Sequence, residues 1–203
     1  MKFDFDKISK EVRYKLLGST IVPRPIAWVS TLNTQGVENA APFSFFNVFG
    51  EDPATVGFSI LHRSESDIKD TGVNIRERKE FVVNLVNEEL LNEMLISAID
   101  FGPGVSEFER AGLVSIPSSR IATPRIGGSR VSLECKLVQI IELGSMRSLV
   151  IGEVLAMHVD DASVIDEHRG WIDTESLKLM GRMGPNRYIR TAETFEHTVP
   201  AAK

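Results

Sequence analysis

PRPIAWVSTLNTQGVENAAPFSFFNVFGEDPATVGFSI, residues 23–60, is a run of strand-forming segments cut at short intervals by turn residues. Residues 21–31 (IVPRPIAWVST) read as a strand entered through Pro23 and Pro25. Proline has no N–H to give to a ladder, so this strand is expected to begin at a sheet edge. Asn33–Gly36 supplies a turn. The chain then returns through residues 39–49 (NAAPFSFFNVF), and residues 54–60 (ATVGFSI) make a further strand.

Working outward, Phe81–Val86 is the next Val- and Phe-rich strand candidate. Before it, Thr71 is expected to cap a short helix over Gly72–Arg78. A second helix is predicted from Glu88 to Ile99, with Leu90, Leu91, Met94, Leu95 and Ala98 as its apolar stripe. Residues 115–129 read as loop with room for a short strand. Arg130–Leu143 and Ser148–Val159 form a long hairpin around Gly144-Ser145. Val131, Leu133, Cys135 and Leu137 share one face of the first arm, which makes Cys135 a small core residue rather than a nucleophile. The second arm is apolar on both faces and is expected to be covered on both sides, by core and by a helix or another subunit. Asp173–Arg182 is read as helical and Tyr188-Ile189 as a last short strand. The fold expected is mainly β: a six-stranded antiparallel barrel with helical decoration, in a single domain over residues 1–203. Strands do not alternate strictly with helices, which argues against a doubly wound parallel sheet.

Bulk properties narrow the function classes. The chain is 42% hydrophobic and 25% charged, ordinary for a globular protein. Its formal charge of -5 makes phosphate-rich nucleic acid a poor partner, so any bound phosphate must be held locally. With one cysteine no internal disulfide forms. The first twenty residues alternate charge with apolar side chains and lack the apolar core of a secretory signal, and no run is long enough to span a bilayer. A cytoplasmic location without membrane association is therefore expected.

The familiar catalytic constellations fail. There is no phosphate-binding P-loop, no GxGxxG and no GxSxG elbow. The four histidines show no HExxH or CxxC pairing; Asp166 and His168 read as an exposed turn, and His158 as a solvated strand end in preference to a pocket wall. No catalytic acid or base and no metal ligand is assigned. Two clusters remain. Ser30, Thr31, Ser44, Phe45, Phe46 and Asn47 mix small polar groups with aromatics, as suits a flat heteroaromatic ligand; a barrel core with its hydroxyls bonded to backbone is the plainer alternative. Arg63-Ser64 and Lys69-Asp70-Thr71 precede a predicted helix, where free N–H groups and two cations favour an anion; a solvated capping turn is the plainer alternative there.

Taken in order, residues 23–60, KDTGVNIRERKEFVVNLV (69–86), GEVLAMHVDD (152–161) and GRMGPNRYIRT (181–191) resemble the flavin reductase-like family of FMN-binding split barrels. The resemblance implies a Greek-key barrel acting as a homodimer. It implies a flavin whose ring and ribityl chain lie among Ser30, Thr31 and Ser44–Asn47, with the phosphate near Arg63, Lys69, Asp70 and Thr71. Arg24 would contact the cofactor or the other subunit, and Asn186-Arg187-Tyr188 would approach the flavin or nicotinamide side. Two departures stand out. Gly184-Pro185-Asn186 replaces the paired glycines common in the last motif. Gly144–Arg147 lacks the histidine that many relatives carry before GEV, leaving Arg147 as a candidate for a substrate phosphate. The implied activity is hydride transfer from NADH or NADPH to flavin N5, with electrons passed to an unidentified acceptor. An FMN electron carrier reduced by a protein partner, and a non-enzymatic flavin- or haem-binding module, are the alternatives.

Overall fold

A computed structural model describes residues 1–198. The chain opens with helix α1 (Lys10–Thr20), capped by the Ser9 hydroxyl, which accepts from Val12 N–H. The short β1 (Arg24–Pro25) is followed by β2 (Ala27–Leu32), β3 (Glu38–Phe43), β4 (Phe46–Glu51) and β5 (Ala54–Leu61). Next come α2 (Asp70–Arg78) and β6 (Glu80–Leu85), then a 3-10 turn at Glu88–Leu90 that leads into α3 (Leu91–Ser97). After α4 (Glu107–Ala111) lie the two-residue strands β7 (Ser115–Ile116) and β8 (Arg125–Ile126). The hairpin β9 (Val131–Glu142) and β10 (Arg147–Val159) is followed by β11 (Val164–Asp166), β12 (Trp171–Ile172), β13 (Met180–Gly184) and β14 (Arg187–Arg190).

The main sheet is antiparallel and runs β3-β2-β6-β9-β10-β5-β4. Its seven strands exceed the expected six because residues 39–49 are two strands rather than one. The break falls at Ser44-Phe45, where the segment leaves β2 and crosses to β5. The Phe45 carbonyl there accepts from Ser59 N–H at 2.9 Å. The two edges of the sheet are therefore successive pieces of one segment. The sheet curls until its edges meet through the backbone, and its hydrogen-bond ladder is not closed. Within the curl, Val29, Phe58, Ile60, Phe81, Val83, Cys135 and Val150 are fully buried and form the main core. A second core, with Trp28, Val86, Met94, Phe108 and Ile126, seals the outer face of β2 beneath α3 and α4.

The prolines act as expected. β1 pairs only with β13, at the edge of a small three-stranded sheet, while the proline-free β2 is interior. Other expectations are corrected. Helix α2 starts after Lys69, and Thr71 is buried inside its first turn instead of capping it. The 88–99 helix is a 3-10 turn followed by seven helical residues, and Leu95 and Ala98 lie outside the apolar seam made by Leu91 and Met94. Residues 173–182 are not helical: a turn with Lys178 at φ 47° leads directly into β13, whose pairing with β1 and β14 takes the backbone hydrogen bonds a helix would have used. The second hairpin arm is buried at Ser148, Val150 and Gly152 but is half open beyond, with Met157 exposed. His158 does not end in solvent: its Nε2 lies 2.5 Å from Oε1 of the fully buried Glu134. Among the described residues no helix is long and apolar enough to cross a membrane.

Candidate functional site

The break between β3 and β4 opens a groove of about 360 Å³. That falls within the range of small-molecule sites. One wall is apolar, from Ile26, Pro42, Phe43, Phe45, Leu95 and Ala98; the other carries Arg147, Arg182, Asn186 and Tyr188. The Leu95 and Ala98 side chains that miss the helix seam are thus used here. Lys69, Pro42, Phe43 and Ala98 continue into a smaller polar pocket of about 60 Å³ at the start of α2. Arg63, Asp70, Thr71, Asn39 and Glu107 line that pocket.

The polar pocket rests on a buried hydrogen-bond network. Thr31 lies wholly inside and accepts from Asn74 Nδ2 at 3.0 Å. Asn39 turns its amide oxygen toward the hydroxyls of Thr31 (3.2 Å) and Thr71 (3.0 Å), and its nitrogen toward Glu107 Oε2 (3.0 Å). This orientation is assigned from the network, since it satisfies both ends of the amide. Glu107 also accepts from Ala40 N–H at 3.3 Å. Burial pushes its carboxyl up to about 7; the nearby Asp70 adds to this, while backbone hydrogen bonds and Arg63 oppose it. Arg63 is already committed, to Asp100 at 2.8 Å and Asp67 at 3.5 Å. Its hydrogen bond to Asp100 raises its pKa further. Lys69 has no ion-pair partner among the described residues, so it is the cation an incoming anion would meet first.

The sequence-selected residues divide by where they lie. Ser44, Phe45 and Lys69 line the groove, and Lys69, Arg63, Asp70 and Thr71 line the polar pocket. Thr31 stands behind Asn39 and Thr71. Ser30 lies elsewhere: its hydroxyl donates to the Pro124 carbonyl at 2.6 Å and accepts from Asn84, with none of its surface exposed. It tethers the 117–126 loop and does not reach the groove. Phe46 and Asn47 do not line the groove; they face an adjoining hollow with Leu17, Ile21 and Phe49, on the far side of Ser44 and Phe45, which line both. Arg24 is buried beneath the site. Its guanidinium donates to the Gly18 and Ile21 carbonyls and to Ser44 Oγ, tying the end of α1 to the β3–β4 break. Sequence reasoning missed Asn39, Arg182 and Glu107. The glutamate follows its helix cap Ser106 directly, where an acid ordinarily reads as a solvated first-turn residue.

Residues 18–171 match the profile of the flavin reductase-like domain. The chain belongs to that family. An uncharacterized protein of Aquifex aeolicus is 40% identical over 190 residues, covering 94% of this chain and 95% of its own. Among solved structures, the 2-nitrobenzoate 2-nitroreductase NbaA of Pseudomonas fluorescens is similar with a TM-score of 0.91 and 36% identity, covering 98% of this chain and 96% of that one. Nitrilotriacetate monooxygenase component B of Bacillus cereus gives 0.92 and 32%, covering 97% and 98%. The flavoredoxin of Desulfovibrio vulgaris shares the fold at a TM-score of 0.78 and 19% identity.

Proposed function

We propose that this chain is a flavin-dependent oxidoreductase that binds FMN in the groove and takes hydride from NADH or NADPH. The observation that carries this reading is the union of an apolar, aromatic-walled groove with a polar pocket whose leading cation is unpaired. A flavin mononucleotide has that same division, a flat ring at one end and a phosphate at the other. The donor set fits: the Lys69 ammonium, the Thr71 hydroxyl and the Arg63 guanidinium offer charge and hydrogen bonds to a phosphate. Burial that pushes the Glu107 carboxyl up to about 7 reduces the negative charge such a dianion would meet.

A bound flavin supplies the hydride chemistry itself. The chain's contribution is placement. Phe43, Phe45 and Leu95 form an apolar side of the groove, while Ser44 accepts a hydrogen bond from Arg24. No aspartate or glutamate lines the larger groove, whose polar side chains are Tyr14, Ser44, Ser59, Asn186, Tyr188 and its cations, and these would orient a bound ring through hydrogen bonds and positive charge. The assembly we infer is a homodimer in the cytoplasm. It is supported by the free edge strand β4, where Val48 and Phe49 are two-thirds exposed beside Ile21.

The test is a visible spectrum of the purified chain with added FMN or FAD, followed by anaerobic NADH or NADPH. Bleaching of the flavin band supports the reading. Prompt reduction only by a redox protein would make the chain an electron carrier. A chain that binds neither flavin refutes the proposal.

A further inference from the structure

Arg147 opens β10, opposite Leu61 of β5, and reaches over the groove. Its Nη1 donates to Ser59 Oγ at 3.0 Å, and its guanidinium carbon lies 5.2 Å from the centre of the Phe45 ring. Its remaining N–H groups have no acceptor among the described residues, and no carboxylate is within ion-pair distance. Half-burial pushes its pKa down, as expected of a cation that has lost water without gaining an anion. The other groove cations differ. Arg182 is used up by its own turn, donating to the Gly184 and Pro185 carbonyls and to the Tyr188 hydroxyl. Lys69 belongs to the polar pocket, which the flavin reading assigns to the phosphate. Arg24 is consumed by carbonyls beneath the site. Arg147 is therefore a half-buried, incompletely paired cation facing a cavity with no acid in its lining, in a protein of net charge -5. An oxidised flavin ring carries no negative charge to satisfy it.

We propose that Arg147 forms a second anion subsite, separate from the Lys69 end, that holds the carboxylate or phosphate of a flat-ringed co-substrate seated beside Phe45. The inference rests on the flavin reading of the groove. It makes Arg147 a specificity-determining residue: the guanidinium accepts a two-oxygen anion in the plane of its free N–H groups. Phe45 and Tyr14, whose rings lie 5.9 Å apart, provide an aromatic flank for the ring that carries the anion.

The experiment titrates the flavin-loaded chain calorimetrically with benzoate and with benzamide, its neutral counterpart of the same shape. Benzoate is expected to bind about tenfold more tightly, as a charge-assisted pair does over a neutral one. Arg147→Gln should bring the ratio near one, and Arg147→Lys should keep part of it. The KM for NADH identifies the natural occupant. A tenfold rise in Arg147→Gln, with benzoate competing against NADH, assigns the subsite to the nucleotide phosphate. An unchanged KM assigns it to an acceptor's carboxylate. Equal affinity for the two probes in the unaltered protein overturns the proposal and needs no variant. So does a ratio that survives Arg147→Gln, whether or not the flavin's reduction potential changes. The visible flavin band in the same sample reports cofactor binding separately, so loss of flavin would indict the functional reading and not the subsite.

Discussion

Replacing Glu107 by glutamine is expected to remove a pH-dependent weakness in the fold. Glu107 is only 7% exposed and its carboxyl titrates at about 7, against an ordinary 4.5. Between those values the folded chain holds a proton that the unfolded chain has released. The stabilising contribution of this group is therefore complete below pH 4.5 and is lost as pH rises through 7. The gap, 7 − 4.5 = 2.5, corresponds to roughly 3 kcal/mol at about 1.36 kcal/mol per tenfold. Water entering the adjoining pocket lowers the figure, so a loss of about 1–3 kcal/mol is the working range. Glutamine keeps the shape and an acceptor for Ala40 N–H but cannot ionise. Urea denaturation of the flavin-free chain at fixed pH values from 4.5 to 8 provides the readout. The two proteins should be nearly equal at the acid end, with the variant pulling ahead toward pH 8. In thermal melts each kcal/mol is worth roughly 2–4 °C for a chain of this size. Stability curves that run parallel across the whole range would show that Glu107 does not titrate in this window, and the argument would fail.

Arg24→Met should cost about 2–4 kcal/mol in urea midpoint experiments, because it leaves the Gly18 and Ile21 carbonyls without donors and unties α1 from Ser44. Gly152→Ala should cost about 1–3 kcal/mol or more: a Cβ there would sit 2.4 Å from Phe81 Cζ, at a register shift in the β9–β10 ladder. Cys135, fully buried with its thiol pushed up to about 12 by burial, should react with a thiol-specific dye only at the rate of unfolding; fast labelling of the native protein would contradict its place in the core. Glu134→Gln should destabilise the chain at neutral pH and loosen the 117–124 loop to proteolysis. Burial alone would push that carboxyl up, but hydrogen bonds from Ser119, His158 and Arg120 hold it at about 2. Its contribution is present above pH 4.5 and fades as pH falls toward 2.

Much of the sheet is legible from local pattern. Ala27–Leu32, Ala54–Leu61, Glu80–Leu85 and the long hairpin are short Val-, Ile- and Phe-rich runs bounded by turn residues, and each is a strand. The break at Ser44-Phe45 is not legible, because three phenylalanines crowd Pro42–Phe46 and no glycine, asparagine or aspartate marks a turn there. What bends the chain is the need to pair with β2 on one side and β5 on the other. Residues 173–182 mislead for a similar reason: their helical pattern yields to the β1 partner that waits for β13. At the site, composition leaves the aromatic wall and the Lys69 cluster open to plainer readings, and the order of the segments along the chain is what singles them out. Which hydroxyl faces the ligand cannot be read in this way: Ser30 and Thr31 are neighbours with the same chemistry, and only the position of Pro124 and Asn74 decides where each one is spent. Glu107 is invisible because its chemistry comes from the residues packed over it.

The segment that supplies both edges of the main sheet also acts as a ruler. Glu38–Phe43 must stay in step with β2 while Phe46–Glu51 stays in step with β5, and only two residues separate them. Lengthening or shortening the chain between Ala40 and Val48 by a single residue would put one half out of phase, turning Phe43 or Phe46 away from the core. Insertions are expected to be better tolerated in the turns at Asn33–Gly36 and Glu51–Pro53, which lie outside that two-residue span. The bottom of the groove then keeps one geometry while the residues around its rim, Arg147 among them, are free to change what it admits.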